Sequence, residues 1–558
     1  MKKQWNLKLG VALMFILATS PAIATNYYIS SSIGKDSNQG TIAAPFKSLN
    51  KISSTVLYPG DTVLFKSGDT FKGHYKINGS GKEGKPVVIT SYGKGEKPIL
   101  SGQVGEAGGG DHAEAIRIQN VDNIVLDGLE VQNERLVSRK GVRDMDAFGI
   151  SIHNSSNKVM RNFLFQNLKI CNVYASTPTL KREDFDKIQV SGIRFTSTRN
   201  KIAGKEKNID GVEIRNCYFT DLQRLGIQLK HGGGAAGIGN DSINRNMNIH
   251  IHDNEFIYLG GSGVLPNATY NCLIENNLFD HPGSDIDQRM PGRGSSIWNY
   301  NAVNTIMQYN TVISANGYLD SYGIHIDKHN KNTFVQYNYM IDCIGGFVEI
   351  LANNKNAVYR FNVSINSGYR YSKGVSTWKS SSCTIYIYSD RWTKPKQAGL
   401  MLSDGVYVYN NTVVMDYEFE TTFNIDAKNM FIYNNIFSST NGAKMGYLQN
   451  KINNNGTPFT LTNNLYEGDV NPEWIKYDQN PIHGVSKFTG KGKLESAYNL
   501  TKDSDAINNG ITILGPPVPG AGRGVFKNIP SYPTVDFYGN PIDLKKGSPN
   551  IGASNAKF

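Results

Sequence analysis

Long amphipathic helical patterns are scarce in this chain of 558 residues. What remains is short alternating segments broken by turns, the mark of an all-β protein. Beyond the first two dozen residues no apolar run is long enough to span a membrane. Cysteine is sparse: Cys171, Cys217, Cys272, Cys343 and Cys383 are odd in number, and none pairs with another as CxxC. That excludes a zinc ribbon and a complete disulfide framework, and buried thiols are the simpler reading. The glycine-rich stretch HGGGAAGIGN (231–240) lacks the Lys-Ser/Thr ending of a phosphate loop, which argues against nucleotide binding.

Glycine (57 residues), tyrosine (30) and asparagine are plentiful, and the formal charge is +11 with a pI near 9.1. A basic excess spread over many segments suits a polyanion, whether nucleic acid, membrane surface or acidic polysaccharide. Residues 1–24 read as a secretory leader: Lys2 and Lys3, an apolar run from Leu9 to Leu17, then Ala22-Ile23-Ala24. No cysteine follows that run to take a lipid. The expectation is cleavage after Ala24 and a periplasmic or secreted protein.

Residues 25–105 form an N-terminal module of short strands separated by Pro-Gly and Ser-Gly turns, with a brief helix across 45–54. Over 106–468 a repeat takes over. One half of its unit is an alternating strand ending in asparagine, at Asn167, Asn216, Asn254, Asn277, Asn310, Asn338, Asn362, Asn411, Asn435 and Asn464. The other half is a glycine-led strand, as in GISIH at Gly149, GIRFT at Gly192, GIQLK at Gly226 and GIHID at Gly323. A single coil of this kind cannot bury its apolar face, whereas stacked coils bury a continuous core. The spacing is irregular, so loops of varying length ride on a constant frame. The fold expected is a right-handed parallel β-helix, a solenoid in which Ile150, Ile193, Ile227 and Ile324 line one interior column. The asparagines at one turn hydrogen-bond along the stack. Residues 469–558, rich in Pro, Gly and Lys, supply a terminal coil and a cap.

The phrases GKDSNQGTIAAPFKSL, PGDTVLF and DFYGNP…GSPNIGA resemble secreted right-handed β-helix carbohydrate-active enzymes, as do WNYNAVNTIMQYN…DSYGIHID…NTFVQYNY…GGFVEI. These are polysaccharide lyases and some glycoside hydrolases of glycan-degrading bacteria. The resemblance implies fold and habitat over nearly the whole chain, and leaves the reaction open.

Aligned on their glycines, the strands present an outward column that includes Arg117, His153, Arg194, Gln228, Lys230, His325 and Asp327. Coils ~4.8 Å apart would make of it a groove for a polymer. His153, Arg194, Lys230 and His231 form a basic patch, for which a solvated face is the plainer alternative. Asp320, His325, Asp327, His329 and Glu349 form a mixed patch, expected to face solvent, with Trp298 on the same side. The patches are three coils, or ~14 Å, apart, too far for one proton-transfer unit. Asp285 and Asp287 are the only calcium candidates, against the plainer role of a loop turn. Tyr369, Tyr371, Trp378 and Trp392, in an insertion over 366–397, could stack on sugars or merely pack.

The leading expectation is a lyase that cleaves an acidic, uronate-containing polysaccharide by β-elimination, as a monomer and without nucleic acid. Arg194 or Lys230 would neutralise the uronate, and Lys230 or His325 would take the C5 proton. The alternative is a glycoside hydrolase using a carboxyl pair among Asp320, Asp327 and Glu349. A second alternative is a glycan-binding solenoid without catalysis.

Overall fold

The computed structural model describes residues 24–103, 112–138, 141–178, 182–198, 207–232, 244–392, 399–512, 514–542 and 548–558, without the side chains at 182, 183, 186 and 392. The leader up to residue 23, the stretch 233–243 with its glycines and the side chain of Trp392 lie outside the described residues.

Apolar residues alternate with polar ones along nearly every strand, and the chain winds them into a right-handed parallel β-helix with three faces. One coil shows the order. Val303–Gln308 lies on face one, Thr311–Ile313 on face two and Ile324–Ile326 on face three, and Lys331–Gln336 returns to face one. Faces one and three merge late in the stack through one long strand, Glu420–Tyr433, which pairs with both. The helix expected over 45–54 is shorter, Leu49–Ser54, capped by the Ser48 side chain.

The interior column on face three runs Ile150, Ile193, Ile227, Val264, Ile297, Ile324 in direct register, all fully buried. Each such side chain is worth roughly 1.5–3 kcal/mol of burial. Phe219, Phe256 and Phe279 stack face to face at 4.6 and 4.7 Å on the inner side of face two. All five cysteines are buried free thiols.

At the turn from face one to face two an asparagine ladder runs the length of the later stack. The Nδ2 of Asn254, Asn277, Asn310, Asn338, Asn362, Asn411 and Asn435 donates to Oδ1 of the next, at 2.9–3.0 Å. Asn464 closes the series by donating to Asp478 Oδ2 at 2.8 Å. Asn167 and Asn216 do not belong to it. They occupy the preceding, left-handed position (φ 54° and 51°), and Leu168 and Cys217 stand where the ladder amide would be. The turn needs a left-handed residue followed by an inward one. Asparagine suits both positions, so the two columns look alike in sequence.

The chain beyond residue 469 does two things. Trp474 stacks on Phe423 at 4.1 Å within the late core. Later residues run back along the stack: Val518, Phe526 and Ile529 cover the outward apolar column Leu273, Ile306, Phe334 and Val358 of face one, and Tyr498 and Ala553 pack on face two. Among the described residues the C-terminal segment lays no such cluster on face three.

Replacing one rung tests the ladder. Asn310→Ala strands the carbonyl of Ile274 and the backbone N–H of Asn277, and should cost about 2–4 kcal/mol. Asn216→Gly, at an exposed left-handed position, should stay within about 0.5 kcal/mol of the parent. Urea midpoints measure both, and equal losses would refute the assignment of separate columns.

Candidate active site

The loop that leads into Ile324–Ile326 fixes the first acid. Asp320 and Ser321 are consecutive left-handed residues (φ 55° and 59°), a backbone that persists only where its surroundings over-determine it. Ser321 Oγ accepts the Gly317 N–H at 2.7 Å and donates to the Gly294 carbonyl at 3.2 Å. Arg370 donates to the Asp320 carbonyl, and Arg293 Nε donates to Asp320 Oδ2 at 2.7 Å. The Asp320 carboxylate thus sits at the mouth of a recess with about a third (32%) of its side chain open to solvent.

Across face three, Trp298 lies in register with His325, and the pairing of Ile326 with Ile350 sets His325 beside Glu349. The Trp298 and His325 rings stack at 5.7 Å. His325 Nδ1 is 2.8 Å from Ser295 Oγ and 3.3 Å from Glu349 Oε2. Asp327 follows the strand and takes the Lys328 N–H at 2.7 Å, and Lys328 in turn reaches Asp390 at 2.5 Å.

Three expectations of solvent exposure fail here, and Glu349 is one of them, only 7% exposed. His325 is only 3% exposed, because Trp298 and Tyr322 pack against it and Glu349 flanks it. His329 lies beyond the end of the strand, left-handed at φ 66°, buried, and bonded by Asn353 at 2.7 Å. The alternation that would have turned it outward stops at Ile326.

Burial and charge drive the acids apart. Burial raises Asp320, but Arg293, His325 and Arg370 outweigh it and hold the carboxyl below its ordinary range. Burial, reinforced by the Asp320 charge, pushes Asp327 up to about 7 against the opposing Lys328 N–H. Glu349 is pushed well up by burial and by both aspartates, and burial holds His325 down to about 4. Asp320 is therefore the acid held ionised, His325 is neutral at neutral pH, and Asp327 is poised there. Two carboxyls whose environments separate them this way can act as an acid and a nucleophile or base.

The basic residues lie elsewhere. Lys230 is three coils from Asp327, through Asn267 and Tyr300. Arg194 stacks over Phe148 at 4.5 Å, Arg117 pairs with Glu114, His153 Nδ1 meets Thr196 at 2.8 Å, and His231 is buried. Between the patches Gln228 and Leu265 are only 6% and 3% exposed, so the column is not one continuous groove. Asp287 spends both carboxylate oxygens on Arg289, and among the described residues no three His, Cys, Asp or Glu side chains gather as metal ligands. Within the insertion Tyr369 is buried against Phe419, whereas Trp378 is exposed. Sequence reasoning passed over Arg293 and Arg370, which orient Asp320. Both stand in aperiodic loops, where spacing carries no signal.

No protein-family model matches the chain. A curated lacto-N-biosidase of Bifidobacterium longum subsp. longum is 24% identical over 619 aligned residues, which take in 96% of this chain and 36% of that protein. The chain thus spans about a third of that relative's length. The crystal structure of a GH136 lacto-N-biosidase from Eubacterium ramulus overlays with a TM-score of 0.55 at 19% identity, over 76% of this chain and 68% of that one. A mannuronic acid-specific family 6 polysaccharide lyase from human gut microbiota overlays at 0.44 and 12% identity, over 82% and 91%. All three similar proteins are carbohydrate-active enzymes. The sequence similarity runs to a glycoside hydrolase, and it overturns the reading of this chain as a uronate-cleaving lyase. Arg194 and Lys230, the residues that reading relied on, stand apart from the carboxyls.

The raised Asp327 has a consequence for stability. A carboxyl whose folded pKa lies above its unfolded value binds more protons in the folded state, so its contribution is present at low pH and lost as pH rises towards about 7. Asp327→Asn should therefore melt above the parent at pH 8, with the gap closing towards pH 4. A melting difference that does not change with pH would show that Asp327 ionises normally.

Proposed function

We propose that this chain is a glycoside hydrolase with Asp327 as general acid and Asp320 as the carboxylate that meets the sugar. The observation that carries the reading is the pair itself. Two aspartates flank one three-residue strand; arginine holds one ionised, and burial keeps the other near neutrality. Glycosidic cleavage asks for this division of labour. One carboxyl protonates the departing oxygen, and the other bears on the positive charge growing at the anomeric carbon or activates water against it. Trp298, partly exposed beside His325, offers a ring face to a sugar. Similarity to the lacto-N-biosidase supports a glycan substrate, and an oligosaccharide cleaved by that enzyme is the first to try.

Digestion should release new reducing ends without the ultraviolet absorbance of an unsaturated uronate. The anomeric configuration of the first product, read by NMR, assigns Asp320 as nucleophile if retained and as base if inverted. Asp320→Asn and Asp327→Asn should each lower kcat by about 10²–10⁴-fold. Lys230→Ala should leave kcat nearly unchanged. Activity of the parent should fall as pH rises through about 7, where Asp327 gives up its proton. Full turnover by Asp327→Asn would refute the assignment.

A further inference from the structure

One residue far from the acids in sequence is tied to them in space. The short helix Arg182–Lys187 belongs to the turn that precedes the strand Gln189–Ser197. Its Phe185 is buried, with two guanidiniums over the ring: Arg224 at 4.1 Å and Arg293 at 4.5 Å from the centroid. Arg224 also donates to the Ile188 carbonyl, just past the helix, so the helix and the first arginine are fastened together. The second arginine is the one whose Nε–H reaches Asp320 at 2.7 Å.

We infer that Phe185 is a positioning residue for the acid pair: it holds the Arg293 guanidinium in the plane from which its Nε–H meets Asp320. The inference rests on the hydrolase reading and adds to it a residue that touches neither substrate nor acid. An aromatic face attracts a cation through its quadrupole, and most strongly where water is excluded. Guanidinium groups are planar and stack on such faces, so the ring fixes an orientation as well as a distance. A leucine of similar bulk would fill the space without the quadrupole. Arg293 would then be free to turn towards water, and Asp320 would lose part of what keeps it ionised.

The test compares Phe185→Leu and Phe185→Tyr with the parent and with Asp320→Asn. Phe185→Leu should lower kcat about five- to ten-fold, change KM less than two-fold, and move the acid limb of the pH–rate profile to higher pH. Phe185→Tyr keeps the ring face and should restore both kcat and the acid limb. Mere loss of packing would leave the acid limb in place. A parental profile in Phe185→Leu, or a Tyr variant as impaired as the Leu variant, overturns the inference. A crystal structure of Phe185→Leu gives a readout that needs no turnover. Arg293 turned away from Asp320 supports the inference, and an unmoved pair overturns it. If the parent lacks hydrolase activity, or Asp320→Asn keeps it, the hydrolase reading fails, while the crystal structure still decides whether Phe185 sets the arginine.

Discussion

Everything in this molecule hangs on the hydrogen bonding of one turn. Parallel coils leave backbone donors and acceptors facing inward at each corner, where no water can satisfy them. The ladder from Asn254 to Asn464 answers that need with a side chain that both donates and accepts. Each Oδ1 takes an amide and a backbone N–H from the preceding rung, so the direction of the ladder is fixed along the stack. It ends on Asp478, an acceptor that needs no further rung. A slip of one residue would turn the interior isoleucines outward and, in the later coils, break the ladder at once, which locks those coils in phase.

The locked phase is what lets distant loops build a site. Face-three strands stack in register, so Trp298, His325 and Glu349 become neighbours although they come from three coils. The turn from face two to face three is where the chain is free to lengthen. Phe185, Arg224, Arg293, Asp320 and Arg370 all stand in that one turn, on different coils. The described C-terminal residues cover faces one and two, where the outward columns are apolar. The site is thus a product of coil register and of one turn column rich in charge.

The same division explains what could be read from the sequence. The interior column Ile150–Ile324 and the later asparagines were legible because strict periodicity binds them. Asn167 and Asn216 were misplaced by one residue because the left-handed position and the inward position both favour asparagine. Asn410–Asn411 and Asn434–Asn435 fill the two positions side by side. The acids were picked out, but not their surroundings. Burial of His325 depends on residues from neighbouring coils and loops, and Arg293 lies in a Pro-Gly-Arg-Gly loop that carries no period. The net charge of +11 misled, since a basic excess spread over the surface says nothing about the two neighbouring coils that carry the carboxyls.

Charge and burial act in opposite senses at the site. Arg293 and Arg370 bring two positive charges to Asp320, which offsets one of them. Burial lowers Arg370 from its usual value, but a guanidinium so placed remains charged. In the proposed reaction Asp327 passes its proton to a departing sugar oxygen, and the positive charge reappears at the anomeric carbon, where Asp320 meets it. The arginines then stabilise the carboxylate left on Asp327. Burial works against that ionisation and keeps the proton in place until a sugar oxygen can take it. Burial and the Asp320 charge, opposed by the Lys328 N–H and then by the charges of Lys328 and Arg293, set Asp327 near neutrality.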